Sequence, residues 1–203
     1  MNPICLGITG ASGAVYAIRL LEVLLDSDRE VHLSISPSGQ EVLQQELGVR
    51  VDLKEFRPGD VLASRADQLH YYHWQDFMAP IASGSFLTDG MVVCPCSGTT
   101  LSAIATGVAG NLIQRAAEVH LKERRKLILV PRETPLSLAH IDNMRRVTEA
   151  GAVVLPASPG WYHGVKTTQD LVDFVVARIC DQLGVEHQLM KRWGAERIDV
   201  PND

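Results

Sequence analysis

The chain has 203 residues, 46% of them hydrophobic and 21% charged, the length and composition of one globular domain with a sizeable core. A formal net charge of -5 argues against a general nucleic-acid or anionic-membrane surface. No apolar run approaches the ~18 residues of a membrane span, Met1-Asn2-Pro3 does not open a signal peptide, and four scattered cysteines make no disulfide framework, so a cytoplasmic protein with buried thiols is expected.

Ile4 to Ile8 is a short apolar run, Thr9 to Gly13 a glycine-rich turn, and Ala14 to Leu25 carries Val15, Ile18, Leu21, Leu24 and Leu25 along one side. This reads as strand, tight turn, helix. Gly10 and Gly13 give the turn conformational freedom, the helix start points unpaired N–H groups at it, and Ser12 adds a hydroxyl, which together make a phosphate site. The spacing is not GxGxxG, so a dinucleotide is not favoured. Glu30 to Ser36 is the second strand, ending in Pro37-Ser38-Gly39, with a helix from Gln40 to Leu47. Ser36 fits both an N-cap and a residue at the carboxyl edge of a parallel sheet, while Glu46 in the last helical turn reads as a solvated charge.

Residues 48–75 support no firm assignment, although Tyr71-Tyr72-His73-Trp74 suits an edge strand or an exposed patch. A small-residue loop from Phe77 to Ser85 precedes a third strand, Gly90 to Cys94, and a second polar turn, Cys94 to Thr100, repeats the logic of the first ahead of helical spacing over 101–106. Cys94-Pro95-Cys96 is neither a redox pair nor half of a zinc site, and the seven histidines have no spacing that completes one, so no metal is predicted. A helix from Leu112 to Arg125 carries Arg115 and Lys122. Lys126 to Val130 is a fourth strand, running into Pro131-Arg132-Glu133-Thr134-Pro135. A proline-framed basic and acidic pair at a strand's carboxyl end reads as a site. A helix from Ser137 to Ala150, a fifth strand from Ala152 to Leu155, an aromatic loop over 156–164 and a helix from Thr168 to Leu183 carrying Arg178 complete the pattern. Trp193, flanked by basic residues, reads as a docking anchor in a tail over 187–203 that meets a neighbouring subunit.

Five strands alternating with helices predict a single-domain α/β chain, Rossmann-like (flavodoxin-like), its parallel sheet covered on both faces and its site along the carboxyl edge.

With these loops placed, nearly the whole chain resembles the UbiX-type flavin prenyltransferases, within the superfamily that also holds cysteine decarboxylases. The resemblance is carried by residues 7–13, 82–85, 94–100, 111–116 (Asn-Leu-Ile-Gln-Arg-Ala), 121–125, 129–133 (Leu-Val-Pro-Arg-Glu), 155–162 and 171–178, in order. It implies a homododecamer, without a metal, that joins the dimethylallyl group of dimethylallyl phosphate to N5 and C6 of reduced FMN for use by a UbiD-type decarboxylase. It places FMN on Gly10, Ala11, Ser12, Ser36, Ser97, Gly98, Thr99, Thr100, Arg115 and Arg132. The prenyl phosphate falls to Lys122, Arg132, Glu133, Tyr162 and Arg178, with Trp193, Tyr162 and Phe77 as π faces for the allyl group. It nominates Ser12, Glu46, Glu133 and Lys122 as catalytic, Glu46 with Ser12 removing the proton at ring closure, which replaces the reading of Glu46 as a solvated charge. Phe77 stands where many members carry tryptophan, and Pro37 where many carry a polar or basic residue. The alternatives are an FMN-binding carrier and a cysteine-decarboxylase-like flavoprotein; the latter relies on an active-site histidine, and this chain presents the Lys122, Arg132, Glu133, Tyr162 and Arg178 set instead.

Overall fold

The computed structural model describes residues 1–62, 66–190 and 192. Its elements are β1 (Ile4–Ile8), α1 (Ala14–Asp26), β2 (Val31–Ile35), α2 (Pro37–Leu47), β3 (Leu69–Tyr71), β4 (Gly90–Cys96), α3 (Gly98–Thr106), α4 (Leu112–Lys122), β5 (Leu127–Pro131), α5 (Leu138–Glu149), β6 (Val153–Val154) and α6 (Thr168–Leu183). The strands form one parallel sheet in the order β3-β2-β1-β4-β5-β6. The sixth strand corrects the expected five. β3 has three residues at the sheet's edge, too few to show an alternating pattern. A second correction concerns Pro37-Ser38-Gly39, which open α2 rather than close β2, because proline's fixed φ and missing N–H suit the first helical turn.

Alternate residues of each strand feed opposite faces, as the pleat requires. Ile4, Leu6, Ile8, Val92, Ile128 and Val130 join α1 and α6 on one side, and Cys5, Met91, Val93, Leu127 and Leu129 join α3 and α4 on the other. β4 breaks this parity once: Cys94 belongs to the first core and Cys96 to the second. A register shift against β5, between Val93 and Cys96, supplies the extra residue. All four cysteines are buried thiols, and burial pushes Cys5 and Cys96 up to about 12, which leaves them unreactive.

The second core closes over His120. Its Nδ1 lies 2.7 Å from the carbonyl of Ala116, and a carbonyl only accepts, so Nδ1 carries the proton and Nε2 accepts from the Thr88 hydroxyl at 2.8 Å. Burial pushes the ring down from 6.5 to about 4. The unfolded chain therefore binds a proton that the folded chain refuses, and stability falls as pH drops from 6.5 towards 4, by about 3 kcal/mol over that window. Urea midpoints measured from pH 7 to 4.5 are expected to fall accordingly, and a His120→Gln variant to show a flatter profile.

Candidate functional site

The site is built where β1, β2, β4 and β5 end. β1 and β4 are direct neighbours, so the two polar turns after them face each other. Thr9 holds them together: its hydroxyl donates to the carbonyl of Pro95 at 2.7 Å and accepts from the N–H of Ser97 at 2.8 Å, with the side chain fully buried. Ser36 ties in β2, its N–H donating to the carbonyl of Ile8 at 3.0 Å and its hydroxyl capping α2 by accepting from Gly39 at 3.1 Å. Gly10 packs so tightly under α2 that a Cβ there would stand 2.3 Å from that of Ser38.

α1 begins at Gly13 with φ 116°, a left-handed cap with no side chain to satisfy the helix's first N–H groups. Glu46 supplies the missing acceptor. Its carboxylate takes the N–H of Gly13 at 2.9 Å and that of Ala14 at 2.8 Å, which corrects the solvated-charge reading and leaves those two groups occupied by the protein's own anion rather than open to a phosphate. Partial burial pushes the Glu46 carboxyl up, but the Ser12 hydroxyl, these two N–H groups and the Arg132 charge together hold it below the ordinary carboxylate range. Arg132, just beyond β5, reaches across to the carbonyl of Ser12 at 3.3 Å. Ser12, Glu46 and Arg132, 120 positions apart at the extremes, thus meet at one corner of the sheet edge.

Beside that corner lies an open groove of about 700 Å³ lined by Gly10, Ser97, Gly98, Thr99, Ser102, His140 and Asn143 among others. Thr100 is buried behind it, its hydroxyl accepting from Ser97 at 3.0 Å, and Ala11 is likewise buried at the turn. The groove is roomy enough for a flat cofactor, glycines and hydroxyls line it together with Ala103, Val108 and Ala139, and the first turn of α3 borders it, so the residues fit a planar ring carrying a phosphate. His140, Asn143 and Thr9 were not singled out from the sequence. A Cβ on Gly98 would stand 2.8 Å from Nε2 of His140, which the helix-capping exchange with Ser137 holds in place.

The remaining expected residues do not gather here. Arg115, on the first turn of α4, donates to the carbonyl of Ala82 at 3.1 Å and to Glu118 at 2.8 Å, and so fixes the loop before β4. Lys122 ends α4 five residues before β5 begins, at the amino edge of the sheet, where it pairs with Glu123. Glu133 is exposed and accepts from the N–H of Thr134 at 3.1 Å. Tyr162 is exposed, edge-on to Phe174 with centroids 5.9 Å apart. Arg178 pairs with Asp181 at 2.8 Å and borders a smaller pocket of about 260 Å³ with Val154, Phe174 and Gln182. Phe77 is 46% exposed. Trp193 lies outside the described residues, and Arg192 beside it turns back to Asp181 of its own chain at 2.8 Å.

A family model described as Flavoprotein matches residues 1–180. A Pseudomonas aeruginosa protein named Flavin prenyltransferase UbiX is 48% identical over 199 residues, covering 96% of this chain and 95% of the relative. A dodecameric FMN-dependent UbiX-like decarboxylase from Escherichia coli O157:H7 superposes with a TM-score of 0.84 at 40% identity, covering 94% of this chain and 98% of that one. AnUbiX, solved with FMN and dimethylallyl pyrophosphate, superposes with a TM-score of 0.85 at 38% identity, covering 95% and 97%. With a sheet edge of this construction and relatives matched along almost their whole length, the chain belongs to the UbiX family of flavin prenyltransferases.

Proposed function

We propose that this protein transfers the dimethylallyl group of dimethylallyl phosphate to N5 and C6 of reduced FMN, giving prenylated FMN for a UbiD-type decarboxylase. The observation that carries this reading is the meeting of Ser12, Glu46 and Arg132 at one corner of the sheet's carboxyl edge. When bound, the flavin supplies the electron-rich N5 and C6 that take the prenyl group. Gly10, Ala11, Ser12, Ser36, Ser97, Gly98, Thr99, Thr100 and Arg132 hold it, and Arg115, which lies apart from them within one chain, reaches it from a neighbouring subunit.

The residues act on the prenyl phosphate in two ways. Cationic side chains, Arg132 of one chain with Lys122 and Arg178 brought up from a neighbouring subunit, neutralise the charge that grows on phosphate as the allylic C–O bond breaks, and Tyr162 and Glu133 orient the group. No metal is required in this scheme. The ionised Glu46, with the Ser12 hydroxyl, then takes the proton lost at C6. Lys122 lies at the opposite sheet edge from Glu46 within one chain, so a neighbouring subunit of a homo-oligomer, here a dodecamer, delivers it; Phe77 and Tyr162, exposed in one chain, and Trp193 belong to the same shared wall. No observation favours a carrier or a cysteine decarboxylase: neither would need the Arg132, Glu46 and Ser12 corner.

Anaerobic incubation with reduced FMN and dimethylallyl phosphate, followed by mass spectrometry of the extracted flavin, is expected to give a flavin heavier by one C5 unit. Unchanged FMN with both the phosphate and the pyrophosphate overturns the reading.

A further inference from the structure

At the amino edge of the sheet, far from the groove, three side chains converge that no part of this chemistry uses. Glu30 immediately precedes β2 and His32 is its second residue, so the pleat puts both side chains on one face. The parallel register sets His70 of β3 directly beside His32. A single carboxylate oxygen, Oε1 of Glu30, lies 2.9 Å from Nε2 of His32 and 3.1 Å from Nε2 of His70. The three atoms all fall within 4.8 Å of one another. His32 is held in place by its surroundings, its side chain 5% exposed, stacked on Tyr72 with centroids 5.5 Å apart and packed on Phe86 at 4.9 Å.

We propose that Glu30, His32 and His70 form a binding site for a divalent transition ion, zinc foremost, held by two imidazole nitrogens and one carboxylate oxygen. Metal–ligand distances of ~2.0–2.2 Å set adjacent ligand atoms about 3.3 Å apart in a tetrahedron, and both N···O separations are already near that edge. Two imidazoles with one carboxylate suit zinc better than the hard cations, which take oxygen alone. The fourth position opens on a pocket of about 330 Å³ that Asp28, Asp67, Gln68 and His70 help to line, leaving room for a water ligand beside acidic groups. Arg29, at the same pocket, is engaged by Asp89 at 2.5 Å and by the carbonyl of Asn2.

Binding replaces two shared hydrogen bonds. Each ring gives Nε2 to the ion, so its one proton, which Nε2 donates to Glu30 in the metal-free chain, moves to Nδ1. For His32 that nitrogen is buried without a hydrogen-bond partner, so affinity falls about 10–100-fold short of a site with a complete outer shell. The consequence is a clip of moderate strength that fastens the three-residue edge strand β3 to β2. Histidine spacing along the sequence does not display such a cluster, because His32 and His70 lie 38 positions apart and only strand register brings them together.

The test is calorimetric titration of zinc into the metal-stripped full-length protein, repeated with His70→Ala and Glu30→Gln. Both positions are exposed, and circular dichroism and thermal unfolding without metal establish that each variant folds. One saturating zinc per chain, weakened at least 10-fold in each variant, is the expected result. Cobalt in place of zinc should add visible d–d absorption to the wild type alone. No saturable binding, or binding unchanged in His70→Ala, overturns the proposal; neither outcome depends on the flavin chemistry.

Discussion

Glu46→Gln is expected to lower formation of ring-closed prenylated FMN by about 10²–10⁴-fold, the range typical of a lost general base, with fold and FMN binding intact. The amide is isosteric and its oxygen still accepts from Gly13 and Ala14, so the start of α1 stays capped. What is lost is the capacity to take a proton. Joining the prenyl group to N5 does not call on C6, whereas closure onto C6 does, so flavin that has gained the C5 unit but keeps its C6 proton should accumulate. Closure only moves a proton from C6 to the prenyl chain, so the open and closed forms are isomers of equal mass. Proton NMR at C6 separates them, and full closure at the wild-type rate would remove Glu46 from its role.

Lys122→Ala should cost about 10²–10³-fold in turnover, the scale of losing one preorganised group that stabilises developing charge. Its more telling consequence is intermolecular. Lys122 closes α4 at the amino edge while Glu46 caps α1 at the carboxyl edge, so the two variants damage different ends of the subunit. Co-expressed in equal amounts, Lys122→Ala and Glu46→Gln chains should assort at random into mixed oligomers, and roughly a quarter of the shared sites then unite two intact residues. Recovery of that fraction of wild-type activity is the expected result. Mixtures as inactive as the parent variants would show that both residues act within one chain.

How far the sequence foretold these features depends on how locally each is encoded. β1, α1, β4, β5 and α6 announce themselves through apolar runs, helical spacing and glycine-rich ends, and the loop around Arg132 is conspicuous because prolines frame it. β3 escapes notice because three edge residues cannot display a period. Thr9 looks like one more turn residue until β4 is laid beside β1 and its hydroxyl meets Pro95 and Ser97, 86 and 88 positions on. Glu46 illustrates the same limit more sharply: α2 is only mildly amphipathic, and nothing in its own sequence reveals that its last turn reaches a helix start 33 positions earlier. The family resemblance supplied the role that periodicity could not.

The Glu46 cap also bears on turnover. A helix start favours a negative charge, so the bonds from Gly13 and Ala14 are strongest while Glu46 is ionised and slacken once it holds a proton. The backbone of α1 therefore acts as a return spring on the base: each captured proton is held at a disadvantage and driven off again, leaving the corner recharged for the next prenyl group without any further conformational change.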